Sequence, residues 1–309
     1  MSISSVGIKR KNKLSPSMRA QRRRLNMLGW GFSGPFVVIF CLFSLLPLIS
    51  SIYMSFTDIT SRDLRTPFNV NFVGLTQYQK VFSDQRFWKA FQNTAIFVVI
   101  GVPVTLIIAM AVAVALNKGL QHMNTFLRAL FYMPVVASTV AVSVAWRYIL
   151  QKNGLLNSAL SLFGITGPDW LHNTSTALPA LLVMACWRNM GTQMIIFLAG
   201  LQGVPDELLE AAQLDGANKW QIFRRITLPI LRPSILLSLI LTSVAYLQFF
   251  EESFVMTQGG PLDSTLSASY YVYQQFGVGQ YGMASASSWI LFAVIAVISA
   301  LQFRAMKED

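Results

Sequence analysis

The chain has 309 residues, 54% of them hydrophobic and 12% charged, against about 25% charged in an ordinary soluble domain. That composition excludes a water-solvated globule and points to the bilayer as solvent. Two cysteines and two histidines are too few for a disulfide framework or a metal cluster, so no metal is expected, and the net charge of +11 needs an origin.

In chain order, residues 1–29 come first, a basic tail with eight Lys and Arg and no apolar core of its own. A cleaved leader has such a core, so the first apolar run is expected to remain as an anchor. Basic flanks beside a first span answer to anionic headgroups; membrane lipid is therefore an expected partner and nucleic acid is not. Residues 28–57, 90–117, 129–146, 233–250 and 264–303 hold no Asp, Glu, Lys or Arg. A span needs about 20 mostly apolar residues, which predicts six membrane helices near 30–54, 92–116, 127–148, 178–200, 231–252 and 283–303. Cys41 and Cys186 both fall inside them. The expected fold class is an all-α integral membrane protein: the tail (1–29), a first transmembrane helix with an outside loop (30–89), and a transmembrane core (90–305).

Six spans put both termini on one side of the membrane. Sixteen Lys and Arg fall in residues 1–29, 117–128, 201–232 and 304–309, and seven in 57–89, 147–176 and 251–283. Because basic residues collect on the cytoplasmic side, the termini and residues 201–232 are expected there, in a cytoplasmic membrane. Most of the net charge is thus an orientation signal.

The segment 203–229 interrupts the apolar pattern with GVPDELLEAAQLDGANKWQIFRRITLP. Pro205 suits a first helical turn, and Asp206, Glu207 and Glu210 set negative charge toward the positive end of a helix dipole. Leu208, Leu209, Ala211, Ala212 and Leu214 follow, small or apolar, and Gly216 can supply the left-handed residue that ends a helix. A second short helix would carry Trp220, Phe223 and Ile226 on one face, with Lys219, Arg224 and Arg225 turned elsewhere. Pro229 then marks the turn into the next span. Taken alone, this pattern equally suits an amphipathic hairpin resting among headgroups.

The series Glu210-Ala211-Ala212, Gly216, Ile226 and Leu228-Pro229 resembles, at every position, the EAA loop of the permease subunits of binding-protein-dependent ABC importers. The runs 72–97, 128–146 and the one beginning at Trp187 are similar to the carbohydrate-uptake branch of that family, the maltose and glycerol-phosphate type. The resemblance implies six transmembrane helices, a coupling helix seated on a separate ATPase, and transport of a sugar or related polyol by alternating access. It also implies the partners: a second homologous permease chain, a dimer of ATPase subunits and an extracytoplasmic solute-binding protein. This chain would be no enzyme and hold no cofactor, ATP and Mg belonging to the ATPase. One departure is clear: the enteric maltose-type subunit carries a large folded insertion outside the membrane, whereas the outside loops here are some thirty residues.

One other motif fails on context: Gly29 to Gly34 satisfy G-x-G-x-x-G but open an apolar span rather than follow a strand. No P-loop sequence occurs. Polar residues within the spans carry more weight, since a charge at mid-bilayer costs about 2.5–3.5 kcal/mol. Arg188 lies near the middle of the fourth span, beside Trp187, Asn189 and Gln193, while Gln248, Glu251 and Glu252 lie toward the outer end of the fifth. They either hold the bundle together or line a solute path. The expected acceptor for Arg188 is Glu251 or Glu252; adjacent on a helix, they point about 100° apart, so one at most faces it, and Glu251 is the favoured one. The rival function is an ion-coupled secondary transporter, with Glu251 and Glu252 relaying protons.

Overall fold

The computed structural model describes residues 16–63, 65–66, 70–118 and 124–307. The first fifteen residues of the basic tail lie outside that set. By its contacts the chain divides into a unit ending at Tyr53 and a unit beginning at Met54, so the described residues after the first span belong with the core rather than with that span.

The first unit is one helical rod: α1 (Pro16–Phe40), a π-turn over Cys41–Leu45, and the start of α2 (Leu46–Ser55). Residues Met27–Ser55 are long and apolar enough to cross a membrane, and none of that window is buried.

In the second unit, α3 (Thr76–Ser83) leads into α4 (Gln85–Lys118), then α5 (Asn124–Val136), α6 (Thr139–Ile149) and α7 (Leu155–Ser161). After α8 (Ala177–Gln202) come α9 (Asp206–Leu214), α10 (Lys219–Ile222), a π-turn over Phe223–Thr227, α11 (Leu228–Ile230) and α12 (Arg232–Leu247). The chain ends in α13 (Ala268–Gly277) and α14 (Tyr281–Lys307). Among the described residues, the isolated bridges come to a single antiparallel one, between Thr57 and Phe72.

Two predicted spans are not straight. The third breaks between Val136 and Thr139 with a bend of 96°: α5 runs through Pro134 to Val136, and Ser138, the N-cap of α6, leaves helical geometry at ψ 132°. The fifth ends at Leu247 rather than 252. At its other end a bend of 69° at Leu231 separates it from the helical run 219–230, so Pro229 sits inside α11 and the turn comes two residues later.

Three apolar clusters stack along the bundle. At one end Val81, Phe87, Tyr271 and Met283 join α3, α4, α13 and α14. In the middle Phe97, Leu181, Met184 and Tyr246 join α4, α8 and α12. At the other end Leu116, Leu201 and Leu231 gather the C-terminal ends of α4 and α8 with the entry to α12. Lipid is as apolar as leucine, so helix contacts depend on close packing through small residues. Gly101 shows this: a Cβ there would stand 2.7 Å from the Tyr246 ring. At Gly191 a Cβ would stand 2.5 Å from the Phe131 carbonyl oxygen, so α5 lies directly on α8.

The residues after α2 are tied to the first of these ends. Gln77 Nε2 donates to the Thr57 carbonyl at 2.9 Å, and the Gly282 amide donates to the Ile59 carbonyl at 3.2 Å. The backbone and side-chain amides of Asn71 donate to the Asp58 carboxylate at 2.9 and 3.0 Å, which holds that carboxyl below its ordinary range.

Candidate functional site

Two regions contain the residues singled out from sequence. The first is the hairpin between α8 and α12. Pro205 occupies the N-cap position, one residue before α9, and Asp206 and Glu207 fill the first turn. At the far end the Gly216 amide donates to the Gln213 carbonyl at 3.0 Å and the Ala217 amide to the Ala212 carbonyl at 2.9 Å. This pair of bonds is a Schellman closure, and it requires a left-handed residue at Gly216, whose φ is +79°. A Cβ there would touch nothing within 4 Å, so dihedral angle, not space, demands glycine.

The next helix starts with a reciprocal cap absent from the sequence expectations. Asn218 Oδ1 accepts from the Gln221 amide at 2.9 Å, while Gln221 Oε1 accepts from the Asn218 amide at 2.8 Å. The spacing of Asn218 and Gln221 carried that signal in a form close to the usual capping box. Ile222 is the buried anchor of this turn, and Trp220 stacks with Phe223 at a centroid distance of 5.8 Å.

The seven motif positions do not form one cluster. Glu210, Ala211, Gly216 and Pro229 are exposed, whereas Ala212, Ile226 and Leu228 are half-buried. No residue of α9 is buried, and Leu214 is 89% exposed. The hairpin therefore presents an acidic and apolar helix outward and roots itself through its second half.

The second region lies along the middle of α8. Trp187 packs against Trp146 at 5.6 Å. Arg188 is half-buried, its Nη1 reaching Asn189 Oδ1 only at 3.5 Å, and its Nε is buried without a hydrogen-bond partner among the described residues. Asn189 Nδ2 donates to the Ala185 carbonyl at 2.9 Å. Gln193 is buried and its Oε1 has no partner among the described residues.

The expected Arg188–Glu251 pair does not form. Glu251 and Gln248 are exposed, and the two ion pairs among the described residues are Arg86–Asp263 and His172–Asp169. The physical reason is the end of α12 at Leu247: Glu251 and Glu252 stand on a separate helical turn over residues 251–257, whose facing is not set by α12, and the 100° between neighbours leaves only one of them pointing inward. That turn directs the adjacent carboxylate inward. Glu252 is 6% exposed, and its Oε2 has no partner among the described residues.

Sequence reasoning also missed a polar knot beneath this region. Thr105 Oγ1 and Tyr246 Oη lie 2.8 Å apart, and Thr105 Oγ1 donates to Cys186 Sγ at 3.2 Å, linking α4, α8 and α12. Each residue is commonplace in an apolar span; only their convergence gives them a role. Among the described residues no three His, Cys, Asp or Glu side chains gather as metal ligands do.

The fold and the exposed hairpin define an all-helical integral membrane protein, and the sequence comparisons give its family. Residues 72–307 match the inner membrane component of binding-protein-dependent transport systems, and the chain belongs to that family. The chain is accordingly a permease subunit of an importer and an inner membrane protein; the family consists of transport subunits, not enzymes. It is 36% identical over 288 residues to YesP, a probable ABC transporter permease of Bacillus subtilis (strain 168), covering 91% of each chain. It is 32% identical over 299 residues to LacF, a lactose transport system permease of Rhizobium radiobacter, covering 94% of this chain and 98% of LacF. Among solved structures, a chain of a bacterial ABC transporter that imports the polysaccharide alginate superposes with a TM-score of 0.79, covering 94% of this chain and 99% of that one at 22% identity, a likeness of fold. This membership also decides against an ion-coupled secondary transporter.

Proposed function

We propose that this permease is one of two membrane-spanning subunits of an ATP-driven importer for a sugar or a related polyol. Its partners are a second homologous permease chain, a dimer of ATPase subunits that holds the ATP and Mg, and an extracytoplasmic solute-binding protein. The supporting observation is the hairpin 203–229: an exposed acidic helix, closed by the left-handed Gly216 and rooted by Ile222. Glu210, Ala211, Ala212 and Gly216 form the ATPase contact, and Ile226, Leu228 and Pro229 carry its displacement into α12. Hairpin and termini face the cytoplasm, in keeping with the excess of Lys and Arg there.

The sugar class is supported by LacF, a lactose permease matched along nearly its whole length. Trp187, Arg188, Asn189, Gln193, Gln248, Glu251 and Glu252 flank the solute path. Polar atoms of Arg188, Gln193 and Glu252 without protein partners are groups that solute hydroxyls or water can satisfy, since a buried polar atom left unpaired costs about 1–3 kcal/mol. Nucleotide closes the ATPase dimer, the hairpin follows, and the spans alternate between inward-open and outward-open states. Such a switch requires ligands that bind the two states unequally.

The test is reconstitution of the complete importer with its binding protein and labelled disaccharides. Uptake that needs ATP and survives collapse of the proton gradient is expected. Uptake that follows the proton gradient with ATP held constant would overturn the reading.

A further inference from the structure

We propose that the groove between α4, α8 and the hairpin binds the acyl chain of one anionic phospholipid, with Lys219 at its headgroup. The groove encloses about 890 Å³ and runs along α4 from Leu106 to Asn117, roughly 16 Å at 1.5 Å per residue, a length suited to an extended acyl chain. Leu201 of α8 and Trp220 and Phe223 of the hairpin also line it.

Its polarity is uneven. The α4 and α8 walls are apolar except for Asn117, while the hairpin contributes Lys219, the Trp220 indole and Thr227. Trp220 is 65% exposed, and an indole with one face in the groove and one in water suits headgroup depth. Lys219 is the one charged residue of the lining, is exposed, and makes no ion pair among the described residues. The apolar stripe of a partner helix laid in this groove would leave that ammonium without a counter-charge, whereas an anionic phosphate supplies one. A lipid seated here touches both the spans and the root of the hairpin, and so braces one against the other. The site itself depends only on the chain being a membrane permease; its effect on ATPase coupling rests on the function proposed above.

The test uses the complete importer in nanodiscs of phosphatidylcholine with or without phosphatidylglycerol, each lipid in turn carrying a photoreactive group on its acyl chain. Phosphatidylglycerol is expected to label α4 residues 106–117 about fivefold more than phosphatidylcholine, the equivalent of roughly 1 kcal/mol for one basic residue near an anionic lipid. Lys219→Glu should abolish the preference, and Ala111→Trp, which fills the groove, should abolish labelling by both lipids. Equal labelling by the two lipids, unchanged in Lys219→Glu, would mean bulk lipid and overturn the proposal. So would a disulfide from Ala111→Cys to the second permease chain together with absent labelling, which would make the groove a subunit interface. Labelling is read without transport, so its failure is distinct from failure of the importer assignment.

Discussion

The Ala217 amide donates to the Ala212 carbonyl across Gly216 at 2.9 Å, so the second alanine of the EAA series takes part directly in the turn that follows it. Because Gly216 stands at φ +79° in open space, Gly216→Asn is expected to retain transport, whereas Gly216→Val should lose it. Left-handed geometry costs a branched residue about 1–2 kcal/mol more than glycine. The measurement is uptake beside membrane abundance, with abundance unchanged in both variants. Equal transport by the two would show that the turn does not govern coupling.

Glu210 is exposed on α9, and its proposed role is electrostatic contact with the ATPase. Glu210→Lys should leave the permease in the membrane but lower the ATPase retained on purification, and Glu210→Gln should have a smaller effect. Exposed charges contribute little to folding, so a loss of abundance would contradict a contact role.

Arg188 and Glu252 offer a sharper separation of roles. A buried ion pair broken by removing one partner costs about 3–5 kcal/mol, but no such pair forms here. Arg188→Ala should therefore accumulate normally while uptake falls roughly ten- to a hundredfold, as loss of a charge-assisted hydrogen bond of about 1.5–3 kcal/mol predicts. Glu252→Gln keeps the shape and removes the cost of a buried charge, so its abundance should hold or rise. Poor accumulation of Arg188→Ala would place that residue in the scaffold instead.

On the loop before α13, Asp263 is gripped by Arg86 with Nε–Oδ2 at 2.9 Å and Nη2–Oδ1 at 3.0 Å. Gln258, Leu262 and Asp263 on the same loop all hold positive φ, a conformation that persists only where the surroundings over-determine it. Arg86→Lys loses the two-pronged geometry. Amide exchange at Thr265 and Leu266 should then quicken severalfold with global stability within about 1 kcal/mol; unchanged exchange would mean Asn93, which bonds the Asp263 and Leu266 carbonyls, suffices alone.

Orientation is checked with single cysteines in a background of Cys41→Ser and Cys186→Ala. Leu262 is 87% exposed on the loop before α13 and Gln213 is exposed on the hairpin. An impermeant thiol reagent should label Leu262→Cys in intact cells and Gln213→Cys only after permeabilisation. The reverse pattern would invert the topology.

The sequence by itself determined the four long apolar helices at Met27–Ser55, Gln85–Asn117, Ala177–Gln202 and Tyr281–Ala305, because backbone groups unable to meet water must close their bonds within one helix and twenty-odd apolar residues announce each of these. It also determined the turn at Gly216, since dihedral preference is a property of one residue. Only the tertiary structure decided that the third span breaks at Ser138, that α12 stops at Leu247, and that Glu252 rather than Glu251 turns inward. Only the structure, likewise, brings Thr105, Cys186 and Tyr246 to one point on three helices. Hydropathy sums along one helix at a time and carries no information on register between helices. That register is set by close approaches such as Gly191 on Phe131 and Gly101 on Tyr246, which depend on the partner residue as much as on the glycine.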